Sequence, residues 1–311
     1  MKTALSFDNV RKRFGNKVAL HGFSLDVPTG ALFGLIGPNG AGKTTAFSIA
    51  CGFLRPDAGG VSILESGGFD AGHMKGRISA MPQDAALGRE TTCEEHLIFF
   101  ARLQGLERKA AVAETARVLS EVGLADRARS KTKTLSHGML RRLMVAQAFI
   151  GSPELILLDE PTSGLDPRHA HELREMFGRS HRAGQTIIVS SHNLPELEQI
   201  CDHVAFIDNG HVTRAGRTSD VTGTGEEIEI QLGGDACPMA ALTAALPNAT
   251  IEQLPEKNTL RIRFSPESNG PGPRDSEDVI GIALRVLLDN GARISGVRKG
   301  ASLERKFLEM R

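Results

Sequence analysis

The sequence predicts an α/β protein with a largely parallel sheet, a helical insert and a small α+β domain behind it. Three observations carry this. Short apolar runs, "ALFGLIG" (31–37), "ELILLD" (154–159) and "TIIVSS" (186–191), read as strands covered on both faces, with helical stretches between them. From Thr92 to Gly123 the pattern is helical throughout, with apolar residues at three and four spacings in "CEEHLIFFARLQGL" and "AAVAETARVLSEVGL". After Gly216 the texture turns to short alternating elements. The 311 residues accommodate two domains, 1–217 with an insert at about 92–150, and 218–311.

The first strand leads into "GPNGAGKTT" (Gly37–Thr45), which matches GxxxxGK[ST], and "TTAFSIACGFL" continues as a helix. Gly37, Gly40 and Gly42 let backbone wrap phosphate oxygens with no Cβ in the way, and Asn39 lies within the same loop. Backbone N–H groups and the helix N-terminus then face the anion. Lys43 supplies a point charge for β and γ phosphates, and the Thr44 hydroxyl is a Mg²⁺ ligand. This loop alone leaves kinases, GTPases and many ATPases open.

"SAMPQD" ends a short β-like run at Gln83, whose amide is either a metal or water ligand or a surface turn residue. "LSHGMLRRL" (135–143) reads as a helix start capped by Ser136. "LILLDEPTSGLD" (155–166) is a buried strand ending in two acids. Asp159 is placed to hold Mg²⁺ through water, and Glu160 to polarise an attacking water. A solvated strand end is the plain alternative for such a pair. "SGLD" follows as a tight turn presenting Asp166. "TIIVSSH" puts His192 at the carboxyl edge of the sheet, where α/β ligands bind.

The C-terminal stretch opens with "TSDVTGTGEE", read as a polar linker. Then come "EIEIQL" (strand), "CPMAALTAAL" (helix), "ATIEQL" and "TLRIRF" (strands), and "SPESNGPGPRDSE" (loop). "DVIGIALRVLLDNG" (helix), "RISGV" (strand) and "SLERKFLEMR" (helix) complete the chain. The order β-α-β-β-α-β is ferredoxin-like, with one helix added.

Composition narrows the function. The 37 basic and 37 acidic residues give no basic excess, so no nucleic-acid partner is expected. Cys51, Cys93, Cys201 and Cys237 form no CxxC pair, so they read as buried small hydrophobes in a reducing cytoplasm. The N-terminus carries no secretory signal, and no apolar run approaches the roughly 20 residues that span a bilayer. If the protein works at a membrane, another chain crosses it.

Taken together, "GPNGAGKTT", "MPQ", "LSHGMLRRL", "LILLDEP", "SGLD" and "SSH", in this order, resemble the ATP-binding cassette (ABC) family over about residues 3–217. "ASLERKFLEM" is similar to the tail of cassettes serving ABC-2-type exporters. The resemblance implies a P-loop NTPase core with an antiparallel β subdomain. It implies an ATPase acting as a homodimer, with each ATP between one copy's phosphate loop and the other's Ser136–Gly138. It also implies ATP and Mg²⁺ as ligands, with Lys43, Thr44 and Thr45 at the phosphates and metal. Gln83 and Asp159 complete the metal site, Glu160 is the base, His192 is the γ-phosphate switch, and Asp166 communicates across the dimer. The adenine-stacking position falls on Phe14, in a chain without Tyr. The expected partner is a transmembrane permease on a separate chain, at the cytoplasmic face of the plasma membrane. The rival reading is a soluble ABC ATPase acting on nucleic acid or ribosomes. The family's commonest form of the helix start is LSGGQ. His137 and Met139 depart from it here, with the His137 side chain expected beside the phosphates rather than between them.

Overall fold

Alternating burial along "TALSFDNVRKRF" makes β1 (Thr3–Phe14) a half-buried strand. It pairs antiparallel with β2 (Lys17–Pro28), from Thr3 opposite Pro28 to Phe14 opposite Lys17. The computed structural model describes residues 2–67, 70–83, 87–222, 227–234, 237–254, 258–264, 276–300 and 302–309. Next come β3 (Leu32–Ile36), α1 (Lys43–Ala50), β4 (Ala58–Ile63), α2 (Ala71–Met74) and β5 (Ile78–Met81). Three helices follow: α3 (Cys93–Leu103), α4 (Arg108–Glu121) and α5 (His137–Ala148). The unit closes with β6 (Leu155–Asp159), α6 (Pro167–Arg182), β7 (Thr186–Ser191), α7 (Leu194–Ile200), β8 (His203–Asp208) and β9 (His211–Arg217).

Strands β3, β6 and β7 are buried at every position, as their unbroken apolar runs require. They lie in one six-stranded sheet of order β5-β6-β7-β3-β8-β9, with the β5–β6, β6–β7, β7–β3 and β3–β8 pairs parallel. The antiparallel sheet β2-β1-β4 makes the second layer. Phe33 and Leu35 of β3, Leu157 of β6 and Ile188 of β7 pack in one cluster with Phe47 and Ile49 of α1 and Phe23 of β2. Because β3, β6 and β7 run the same way, the residues that follow them emerge at one edge.

Side chains fix where the helices begin. Thr92 and Glu95 form a reciprocal capping box on α3, Ser136 caps α5, and Asp166 caps α6 with Pro167 at the first turn. Cys51, Cys93 and Cys201 are buried free thiols, and burial pushes Cys51 up to about 12. Such a thiol stays protonated and fills space like a small apolar group. Among the described residues no helix is long and apolar enough to cross a membrane.

Residues Met1–Gly216 and Arg217–Arg311 form two compact units. The second contains α8 (Thr218–Thr222), β10 (Glu227–Leu232), α9 (Met239–Ala245), β11 (Ala249–Leu254) and β12 (Thr259–Phe264). It continues with α10 (Ser276–Asp289), β13 (Ile294–Lys299) and α11 (Leu303–Glu309). Its sheet has the order β11-β12-β10-β13 with every pair antiparallel, the ferredoxin-like arrangement. Ile228, Ile230, Leu260 and Ile262 on one face pack against Leu242 of α9 and Val279, Ala283 and Leu287 of α10. The start of this unit differs from expectation: "TSDVT" is a helical turn rather than linker, closed by the Thr222 hydroxyl on the Thr218 carbonyl at 2.8 Å. The stretch read as a Pro/Gly/Ser loop falls on 265–275, outside the described residues, apart from Ser276 and Glu277, which begin α10.

On the other face of this sheet, charges alternate across the strands. Glu252, Arg261, Glu229 and Arg298 stand opposite one another from β11 to β13. Glu227 lies beside this row, bonded by Arg263 at 3.0 Å and by Arg305 of α11. Burial alone would raise its carboxyl, but the Arg305 and Arg263 hydrogen bonds and the Arg305 and Arg261 charges outweigh it and hold the group below its usual value. A carboxyl depressed in the folded state adds stability above its unfolded pKa of about 4.3, and that stability is lost as pH falls through the folded value. Glu227→Gln is therefore expected to lower the melting temperature of this unit at pH 7, with the deficit shrinking from pH 5 toward pH 3. Calorimetry across that range checks it, and a deficit independent of pH would contradict it.

Candidate functional site

The loop after β3 is shaped by backbone that only glycine accepts. A Cβ on Gly37 would stand 2.4 Å from the Ile207 carbonyl oxygen. Gly42, at φ 110°, would place one 2.8 Å from Leu20 and 2.9 Å from the Ala19 carbonyl oxygen. Gly42 stands at the N-cap of α1 with no side chain blocking the helix end. The first-turn N–H groups are thus open to an anion. Lys43 folds back over the loop, donating to the Gly37 carbonyl at 2.6 Å and the Pro38 carbonyl at 3.1 Å. It is 6% exposed. Burial pushes its ammonium below the usual lysine value, and the charges of Glu160 and Asp159 oppose that shift.

The end of β6 meets this loop. Thr44 Oγ1 donates to Asp159 Oδ2 at 2.7 Å, and Ser190 Oγ of β7 donates to Asp159 Oδ1 at 2.5 Å. Glu160 follows in a left-handed backbone conformation, φ 53°, which a Glu adopts only under local constraint. Its N–H donates to the Ser190 hydroxyl at 3.0 Å, and its carbonyl accepts from Arg141. The Glu160 side chain is 8% exposed, with Oε2 2.9 Å from His192 Nδ1. Its other oxygen, Oε1, is buried without a hydrogen-bond partner. A buried carboxylate oxygen with no donor is costly.

A cleft of about 260 Å³ opens between these elements, lined by Phe14, Asn39, Gly40, Gly42, Lys43, Thr44, Thr45, Gln83, Asp159 and Glu160. The structure thus gathers the loop, the two acids, Gln83 and the aromatic at one place. Phe14 is 47% exposed at the end of β1 and lines the cleft, with Lys12 Nζ 5.7 Å from its ring centroid. Ser136, Gly138 and Asp166 do not line this cleft. Ser136 Oγ accepts from Met139 N at 3.3 Å, and Asp166 accepts from the backbone and ring of His169 at 3.0 and 2.5 Å. The His137 ring does not point to open space. It lies against Gly164, where an added Cβ would meet it at 3.1 Å.

Four residues at the site escaped the sequence reading. Ser190 grips Asp159. Lys17 and Ala19 of β2 line the cleft. Arg141, 6% exposed, donates to the carbonyls of Gln83 (2.8 Å), Asp159 (3.1 Å) and Glu160. The signal for Arg141 lay in the doublet "RR" inside an otherwise apolar helix. Its neighbour Arg142 is also buried and donates to the carbonyls of Val122 and Gly123. Among the described residues no three His, Cys, Asp or Glu side chains converge to hold a metal by themselves. The oxygen donors Thr44, Asp159 and Gln83 suit a hard cation that also takes ligands from phosphate.

Comparison with known proteins decides the family. The ABC transporter family model matches residues 20–163. A Nod factor export ATP-binding protein I of Rhizobium sp. (strain N33) is 32% identical over 310 residues, covering 99% of this chain and 97% of that one. The chain belongs to the ABC transporter family. The linearmycin resistance ATP-binding protein LnrL of Bacillus subtilis (strain 168) is 36% identical over 74% of this chain and 72% of its own length. A solved ATP-binding subunit of an ABC transporter superposes with a TM-score of 0.65 at 29% identity, over 71% of this chain and 92% of that one. As a member of the family, this ABC protein binds and hydrolyses ATP in the service of membrane transport.

The geometry around Gly138 sets two substitutions apart. A Cβ there would meet Leu165 at 3.3 Å, and an Asp would add negative charge beyond that crowding. Removing the His137 ring leaves the Ser136 cap and the first-turn N–H groups intact. Gly138→Asp is expected to abolish ATPase activity and His137→Gly to change it little. Steady-state phosphate release checks both, and equal damage from the two would give the histidine a direct role.

Proposed function

We propose that this chain is the nucleotide-binding subunit of an ABC-2-type exporter, working as a homodimer on a separate transmembrane permease at the cytoplasmic membrane face. The observation that carries the exporter reading is the match, along 97% of its length, to a protein named for Nod factor export. A daunorubicin resistance ATP-binding protein of Streptomyces coeruleorubidus, 35% identical over 81% of this chain and 78% of its own, supports it. The alignment to that protein of Rhizobium runs over 310 residues and so includes the accessory domain, which supports the exporter reading.

In this reading ATP lies in the cleft with adenine on Phe14 and its phosphates in the loop 37–45. The backbone of Gly37, Asn39, Gly40 and Gly42 wraps the phosphate oxygens, and Lys43 and Thr45 complete the cradle. Thr44, Gln83 and Asp159 would hold Mg²⁺, which when bound would neutralise phosphate charge. The two hydroxyl donors on Asp159, from Thr44 and Ser190, keep its carboxylate oriented toward that position. Glu160 Oε1, buried and partnerless, accepts the proton of the water that attacks the γ phosphate. His192, bonded to Oε2, holds the carboxylate and reaches the γ phosphate from the end of β7. A second copy supplies Ser136, Gly138 and Asp166. Ser136 caps α5 through Met139 N, and a helix N-terminus of this kind favours an anion such as the other copy's nucleotide. ATP binding closes the dimer and hydrolysis reopens it, and the permease converts that cycle into export.

The test is Glu160→Gln. Loss of the proton acceptor should leave ATP affinity within about twofold and reduce turnover by roughly 10² or more. Equilibrium ATP binding and phosphate release, measured side by side, read both quantities. Unchanged hydrolysis would remove Glu160 from the catalytic role.

A further inference from the structure

One carboxylate outside the cleft joins the segments on which Glu160 and His192 depend. Helix α7 starts two residues after His192, and Glu196 stands in its first turn. Glu196 Oε2 accepts from the Thr162 hydroxyl at 2.9 Å, and Oε1 lies 3.1 Å from Arg174 Nη1 on α6. Both charged side chains are mostly withdrawn from water, Glu196 at 21% and Arg174 at 15% exposure. Solvent and salt therefore screen this pair less than a surface ion pair. Each oxygen of the carboxylate has its own partner on a different element.

Thr162 is the second residue after Glu160, and the turn there is short. Ser163 N donates to the Glu160 carbonyl at 3.1 Å, and Leu165 N donates to the Thr162 carbonyl at 3.2 Å. A displacement of Thr162 is thus transmitted to Glu160, whose backbone already sits in a strained conformation. On the other side, Asn193 gives α7 no side-chain cap, so no hydrogen bond of that kind anchors the helix start beside His192. The 2.9 Å contact between His192 Nδ1 and Glu160 Oε2 needs both segments in register.

We propose that Glu196 is a positioning residue for ATP turnover: by binding Thr162 and Arg174 at once, it sets α7 against the turn after β6 and keeps His192 on Glu160. Lacking contact with the nucleotide cleft, it acts through the other two residues. The inference rests on the roles given to Glu160 and His192 above.

The test uses the 311-residue chain and four variants: Glu196→Ala, Glu196→Gln, Thr162→Val and Glu160→Gln. Glu196→Ala should lower kcat by about tenfold or more with ATP affinity within about twofold, since a small misplacement of reacting groups costs rate rather than binding. Glu196→Gln keeps an oxygen for only one of the two partners and should fall between Glu196→Ala and the unaltered chain. Thr162→Val should reproduce part of the loss, and should add nothing when placed on Glu196→Ala. It also serves if Glu196→Ala fails to fold. A kcat within about twofold in both Glu196→Ala and Thr162→Val would overturn the proposal, whatever happens to the melting temperature. So would a parallel loss of kcat and ATP affinity, which marks general damage. If Glu160→Gln itself turned over normally, the assignment of the base would fail first, and that outcome is distinct from an inactive Glu160→Gln beside a fully active Glu196→Ala.

Discussion

Everything at the nucleotide site depends on placing two carboxylates at the end of a strand that is buried at all five positions. Asp159 is 1% exposed and Glu160 6%. Charges so placed lose hydration worth several kcal/mol each, and the surrounding atoms must make up the difference. Here the compensation is divided among elements. Asp159 receives hydroxyls from α1 and β7, Lys43 brings a buried positive charge beside both acids, and Arg141 stretches from α5 to their carbonyls. Glu160 Oε1 is buried without a hydrogen-bond partner.

That arrangement explains why the rest of the fold takes its form. The parallel sheet is needed because it brings the ends of β3, β6 and β7 to one edge, so that loop, acids and histidine meet. The helical insert supplies the N-terminal end of α5 and, through Arg141, a bridge between Gln83 and the end of β6. A single guanidinium thus joins the Gln83 carbonyl to the peptide of Glu160. The turn from Glu160 to Asp166 is gripped at both ends, by Glu196 on Thr162 and by His169 on Asp166.

Much of this was legible in the sequence because it is local. An apolar run ending in glycine or in two acids marks both the strand and what its last residue faces, and the strands read from 31–37, 154–159 and 186–191 are β3, β6 and β7. The ferredoxin-like order of the second unit was legible for the same reason, since alternation in "EIEIQL" and "TLRIRF" is a property of consecutive residues. What was not legible depends on distant partners. Ser190 is an ordinary strand residue until β7 lies beside β6, and the "RR" doublet shows that Arg141 is unusual but not which carbonyls it meets once α5 is packed. The stacking of His137 on Gly164 could not be read either, because it requires the start of α5 and the "SGLD" turn to touch. "TSDVT" was misread as linker because a single helical turn has no periodicity to detect; its Val221 is buried and its Thr222 side chain bonds back to the Thr218 carbonyl.

The central claim is that the end of β6 exists to hold a metal-bound phosphate, with Asp159 as the metal's anchor. Isothermal titration of ATP into Asp159→Asn and into the unaltered chain, each in excess Mg²⁺ and in excess EDTA, tests it most directly. The account predicts that Mg²⁺ tightens ATP binding to the unaltered chain by about tenfold or more, and that Asp159→Asn abolishes this difference while keeping the EDTA affinity. A gain from Mg²⁺ in Asp159→Asn equal to that of the unaltered chain would contradict it.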